Sequence, residues 1–135
     1  MIMILKREKL KNILLDKKIS ITENRLDILE ILNDNHHFHS IQEIVNHLSH
    51  LNTKTIYNNI KALLEVGILD SYSFEGLTKY NISDTLTGRK NVAHIIKEVD
   101  NVEHINLDEQ IFNDIKKICK KNNIDCKKIK IFIHS

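Results

Sequence analysis

Between Ser40 and Leu64 apolar side chains recur at helical spacing, and between Ile68 and Ile82 the pattern shortens to that of strands. Ile41, Ile44, Val45 and Leu48 fall at i, i+3, i+4 and i+7, one apolar stripe. Ser40 and Glu43 ahead of that stripe make the S-x-x-E capping box, which satisfies two orphan N–H groups at a helix start. Asn52 or Thr53 caps a second helix, whose apolar positions are Ile56, Ile60, Leu63 and Leu64. Its other face carries Lys54, Thr55, Asn58, Asn59, Lys61 and Glu65. Gly67 suits the left-handed position just past a helix end. Two β-like runs, 68–74 and 77–82, then flank the turn Glu75-Gly76. Helix, turn, helix, hairpin is the order of a winged helix-turn-helix, whose second helix enters a DNA major groove. A polar, amide-rich outer face suits base-edge and phosphate contacts. The plain alternative is a solvated helix face; the hairpin directly after it favours DNA.

The rest of the chain reads in the same way. Leu5, Leu10, Ile13 and Leu14 predict a helix over 4–17. Thr22 caps a helix over 23–33 with Leu26, Leu29 and Leu32 as its core face, widened by Ile28 and Ile31. Asn33-Asp34-Asn35 breaks that helix, and His36, His37 and His39 follow. Residues 84–91 are polar, hold Gly88 and read as a linker. Strands are expected over 92–97 and 102–107, and Ile111, Ile115 and Ile118 give a helix over 109–122. A closing strand follows over 128–134. The expected architecture is α+β: a winged-helix domain at 1–83, a hinge at 84–91 and a small β-β-α-β domain at 92–135. So short a sheet with free edges is a natural dimerisation surface, with Ile129, Ile131 and Ile133 in need of cover.

Composition narrows the function. The chain has 135 residues, 41% apolar but only 5% aromatic and without Trp, so its core is built from Ile and Leu. The opening MIMIL is too short for a signal segment, and no run approaches a membrane span. A soluble cytoplasmic protein is expected. Cys119 and Cys126, seven apart, match neither C-x-x-C nor a disulfide framework and read as two reduced thiols. Net charge is +2; residues 1–83 hold ten basic and ten acidic side chains. That is a weak footprint for a nucleic-acid binder unless the charge is segregated locally. Lys6, Arg7, Lys9, Lys11, Lys17 and Lys18 do crowd the first segment. No Gly-rich phosphate loop, G-x-S-x-G or recognisable Cys/His pair is present, so neither an enzyme nor a small-molecule substrate is expected.

T-x-x-R-x-x-I-L at 22–29, H-S-I-Q-E-I at 39–44, T-I-Y-N-N-I at 55–60 and L-L-E-V-G-I-L at 63–69 give the chain a family likeness. Together with S-F-E-G at 73–76 and K-Y at 79–80, these blocks resemble the ferric uptake regulator (Fur) family. The resemblance implies a homodimeric, metal-responsive DNA-binding repressor, with metal held between its two domains. A two-fold arrangement would put two recognition helices on one duplex face, which implies a pseudo-palindromic operator. The family's Thr-Val-Tyr-Arg block matches Thr55, Ile56, Tyr57 and Asn58. Tyr57 would then meet a thymine methyl or a phosphate, and Asn58, standing where the family has Arg, would pair with adenine. The family's minor-groove Lys falls near Ser20, close to Lys17 and Lys18.

The metal positions depart from the family. Its histidine before the third helix falls on Phe38, flanked by His37 and His39, and its acidic residue after the wing falls on Asn81. Only His94 survives of its histidine run, and Lys97 and Asp100 replace its first Cys-x-x-Cys. Two cysteines cannot make a four-cysteine structural zinc site. His37, His39, His94 and His104 remain as candidate ligands for a divalent Fe, Zn or Mn ion at the hinge. The alternatives are that the histidines near 37 are exposed loop residues and that the chain is a metal-independent regulator or a protein-interaction module.

Overall fold

The computed structural model describes residues 6–34, 37–88, 92–98, 101–126 and 129–134. The chain divides into two compact units, one running to Gly88 and one following it. In the first, α1 (Arg7–Asp16), α2 (Glu23–Leu32), α3 (Ile41–His47) and α4 (Thr53–Glu65) precede a hairpin of β1 (Leu69–Phe74) and β2 (Leu77–Ile82). A short α5 (Asp84–Thr87) closes it. The second holds β3 (Val92–Glu98), β4 (Asn101–Asn106), α6 (Glu109–Lys121) and β5 (Ile131–His134).

The helix ends follow their caps. The Thr22 hydroxyl accepts from Arg25 N–H, the full Ser40/Glu43 capping box forms, and of the two candidate caps for α4 it is Asn52 that accepts, from Thr55 N–H. At the far end of α4, Gly67 takes φ +79°. Its N–H reaches Leu64 O, and Ile68 N–H reaches Leu63 O at 3.0 Å. This 5→2 and 6→1 pair is a Schellman motif, and only glycine enters it without strain. The predicted stripes become the core: Leu10 and Leu14, Leu26 and Leu29, Ile44, then Ile56, Ile60 and Leu63 are all sealed from solvent. Ile60→Ala should therefore cost about 2–5 kcal/mol by transfer and cavity terms, read as a drop in the denaturant midpoint at unchanged slope.

The wing pairs antiparallel from Leu69↔Ile82 to Phe74↔Leu77. Its two-residue tip has positive φ at both Glu75 and Gly76, as a type I′ turn requires. His39 adds a third edge: its N–H donates to Tyr80 O and its C=O accepts from Tyr80 N–H. In the second unit the strand order is β4-β3-β5, antiparallel on one side of β3 and parallel on the other. Val92, Ala93, Ile96, Val102 and Phe112 are its buried apolar residues.

Some boundaries differ from the sequence expectation. The first helix starts at Arg7 rather than residue 4, with residues 1–5 outside the described ones. Residues 84–87, expected as linker, form α5, stopped by Gly88 in the left-handed conformation; residues 89–91 lie outside the described ones. The last strand is described from Ile131 to His134, four residues of the seven expected. Among the described residues no helix is long and apolar enough to cross a membrane.

Candidate nucleic-acid interface and metal ligands

The outer face of α4 is a stripe. Lys54, Tyr57, Asn58 and Lys61 fall at i, i+3, i+4 and i+7, and all four are exposed, Tyr57 by 53%. Opposite them Ile56, Ile60 and Leu63 seat the helix on the core. Thr55 is half-buried, its N–H held by the Asn52 cap at 2.8 Å. Asn59, expected on the outer face, turns inward instead. Its Oδ1 accepts from Arg25 Nε at 3.1 Å and its Nδ2 donates to Thr55 O at 2.9 Å. It is a link within the unit, which the helical pattern could not show.

Lys17 and Lys18 are exposed at the end of α1. Lys18 sits at φ +57° where glycine is usual, with Lys18 N–H on Leu15 O and Ile19 N–H on Leu14 O. The wing is a poorer surface for phosphate. Glu75 stands at its tip, and Lys79 is buried with its Nζ 3.3 Å from Glu43 Oε1.

Charge is thus segregated, as the near-neutral composition left open. Glu23, Asp27 and Glu30 gather around Arg7 between α1 and α2, and Glu43 faces Lys79. Those pairs consume carboxylates, while no ion pair among the described residues involves Lys17, Lys18, Arg25, Lys54 or Lys61. A unit with balanced composition so keeps cations on α4 and on the loop after α1, where a polyanion profits from them.

The histidines take different settings. His39 is buried, not an exposed loop residue, because its backbone pairs with Tyr80. Its Nδ1 has no hydrogen-bond partner among the described residues, and neither do Oδ1 and Nδ2 of Asn81, beside that pairing. His37 is half-exposed, with Nδ1 3.2 Å from Asp34 Oδ2, and His36 lies outside the described residues. The His39 ring centroid lies 6.2 Å from that of His37 and 6.1 Å from that of His47. Phe38 packs edge-on against Tyr72 at 4.9 Å and offers no donor. In the second unit His94 is sealed in β3 directly opposite His104 on β4, their rings 4.7 Å apart, and stacks on Phe132 at 5.3 Å. Within neither unit do three His, Cys, Asp or Glu side chains form a metal-binding group among the described residues.

Burial lowers the His39 pKa; His37 and His47 add to the effect, while Glu43 and Asp34 oppose it. The folded state therefore binds this proton less readily than the unfolded chain, whose value is about 6.5. Its contribution to stability is full above that pH and is lost as pH falls towards the lowered folded value. Thermal melts should show the wild type losing stability faster than His39→Gln over that acid window. Equal slopes would remove His39 from the account. Cys119 and Cys126 are both free and half-buried, and burial raises the Cys119 pKa first, the neighbouring Cys126 second.

A helix-turn-helix with a β-hairpin wing, bearing lysines, an amide and a tyrosine on its second helix, defines the class of winged-helix DNA-binding proteins. The chain belongs to the ferric uptake regulator family of transcription regulators, whose sequence profile, described as "Ferric uptake regulator family", matches residues 16–134. The fold is that of the solved family structures. The Vibrio cholerae ferric uptake regulator is 22% identical, covers 93% of this chain and 97% of its own, and superposes with a TM-score of 0.68. A zinc uptake regulator solved with zinc and DNA is 15% identical, over 96% of this chain and 88% of that one, with a TM-score of 0.74. The Helicobacter pylori ferric uptake regulator, described with three functional metal-binding sites, is 15% identical over 100% of this chain and 95% of its own, at 0.68. No curated protein sequence matches the chain.

Proposed function

We propose that this chain is a sequence-specific DNA-binding repressor that acts as a cytoplasmic homodimer and whose DNA affinity a divalent metal tunes. The observation that carries the reading is the exposed Lys54, Tyr57, Asn58, Lys61 stripe on α4, backed by a fully buried one. Lys54 and Lys61, with Lys17 and Lys18 beyond the helix, meet phosphates; Tyr57 meets a thymine methyl or a phosphate; Asn58 pairs with adenine N6 and N7. A two-fold dimer presents two such helices to one face of a duplex, which makes the operator pseudo-palindromic. Repression follows from occupying that site. The test is equilibrium binding to a random duplex against salt. Binding through several lysines gives a steep negative slope of log affinity on log salt, about 0.9 per phosphate; a flat line would turn the reading towards a protein partner.

The ligands fit a metal in part. His39 offers a buried imidazole nitrogen without a partner among the described residues, and His94 and His104 form a facing imidazole pair. With His37 these are the residues that would hold Fe, Zn or Mn; an all-imidazole set suits zinc best, and iron or manganese needs added carboxylates. The chemistry a bound ion supplies is to hold the imidazoles that ligate it in one geometry, so that DNA affinity depends on metal. Support also comes from the relatives, one solved with zinc and DNA and one a zinc-bound manganese uptake regulator. A metal-independent regulator is the second reading, favoured by the buried Phe38 and the neutral Asn81 at two family ligand positions. DNA titrations with zinc, manganese and iron(II) on His94→Ala/His104→Ala separate the two. A metal response lost in that variant supports tuning, and unchanged binding throughout supports independence.

Folding should not need the metal. The second unit buries Val92, Ala93, Ile96, Val102 and Phe112, and burial at about 25 cal/mol per Å² of apolar surface holds it. A strong chelator is expected to leave the thermal midpoint and the sedimentation mass unchanged. A drop of several degrees on chelation would show a structural ion.

A further inference from the structure

We infer that Arg25 is a positioning residue for DNA binding: its guanidinium fastens the loop carrying Lys17 and Lys18 to α4, so that both meet one duplex at a fixed spacing. The inference rests on the DNA-binding reading of α4 above. Arg25 Nη1 donates to Ser20 O at 2.8 Å and to Ser20 Oγ at 2.6 Å. From the same planar group Nε donates to Asn59 Oδ1 at 3.1 Å, and Asn59 is braced by its bond to Thr55 O. Asn59 is the neighbour of Asn58 on α4, and Ser20 lies two residues past Lys18. One rigid fork thus joins two segments that are far apart in sequence and that both carry candidate phosphate ligands. An ammonium on a flexible stem could not hold that plane.

A second observation points to an anion rather than to plain scaffolding. Arg25 is half-buried, yet no carboxylate pairs with it among the described residues; its acceptors Ser20 O, Ser20 Oγ and Asn59 Oδ1 are all neutral. Arg7, the arginine that knits α1 to α2, is surrounded instead by Glu23, Asp27 and Glu30. Arg25 therefore stands, with no described carboxylate against it, between two elements read as touching a polyanion.

The experiment uses the full chain, a duplex selected by the wild type, and salt titration. Arg25→Met keeps the bulk and removes the fork. It should bind the selected duplex roughly tenfold or more weakly, the scale of a lost hydrogen bond to a charged group. Its salt slope should shrink by about 0.9 for each phosphate contact that Lys17 and Lys18 no longer make. Lys17→Ala/Lys18→Ala should then cost clearly less in the Arg25→Met background than in the wild type, because Arg25 acts through that loop. A folded Arg25→Met with wild-type affinity and slope overturns the proposal, and so does strict additivity with the lysine variant. If Arg25→Met does not fold, Ser20→Ala/Asn59→Ala removes two of the three acceptors and leaves Arg25 in place. The same fall in slope supports the proposal there, and an unchanged slope overturns it. Wild-type protein with no salt-dependent duplex binding is a separate result: it removes the DNA reading itself.

Discussion

Asn58→Ala should weaken binding to the selected operator by roughly 5- to 150-fold, the 1–3 kcal/mol of a good base contact. Asn58 stands exposed on the outer stripe of α4, one turn from Lys54 and Lys61 and away from the buried Ile56, Ile60 and Leu63. Nothing in the core depends on it, so the variant should melt with the wild type. Its neutral amide has no long-range pull on phosphate, so the loss belongs to the specific site and not to random duplex. Tyr57→Ala should show the same selective loss, since more than half of that side chain faces solvent. Lys54→Ala and Lys61→Ala should do the opposite, weakening all sequences alike and flattening the salt slope by about one unit each. The contrast between amide and lysine variants is the diagnostic: a solvated helix face would give neither effect. Operator binding by Asn58→Ala equal to wild type would put the helix in another register on the groove.

Ile111→Asp/Ile118→Asp should convert a micromolar dimer to monomer and lower operator affinity by about 10²-fold or more as the linked second half-site is lost. The two residues lie on one stripe of α6 with Ile115 between them, at 40% and 61% exposure. Ile105 and Ile133 are also exposed, and their registers with Ala93 and Ile95 place them on one sheet face. In so short a unit these exposed isoleucines are the apolar surface that a second copy would cover. Two carboxylates in a buried contact would each lack a partner, which costs far more than the lost apolar area. Sedimentation equilibrium reads the mass directly. A dimer that survives both substitutions would move the interface away from α6.

Much of this was legible along the chain because it is local. Capping residues, a period of 3.6 and a Glu-Gly turn each act within a few neighbours, and the Thr22 cap, the Ser40/Glu43 box and the Glu75-Gly76 tip all stand where the sequence puts them. What was hidden is what links distant segments. Asn59 looked free on a helix wheel, but its partner Arg25 is 34 residues away. Lys79, in the second strand of the wing, is buried against Glu43 of α3, a pairing no local pattern shows. His39 looked like a loop residue because its pairing partner, Tyr80, lies at the far end of the hairpin. The helix at 84–87 has no apolar period, and Gly88, read as part of a linker, is its left-handed stop.

Selection from a random duplex pool by the purified full-length protein tests the central claim most directly. The account predicts enrichment of a pseudo-palindrome whose half-sites lie about one helical turn, 10–10.5 base pairs, or a multiple of it apart. Each half-site should carry an adenine whose replacement removes the advantage of wild type over Asn58→Ala. A pool that emerges without a shared sequence, or a single half-site that Asn58→Ala binds as well as wild type does, would contradict it.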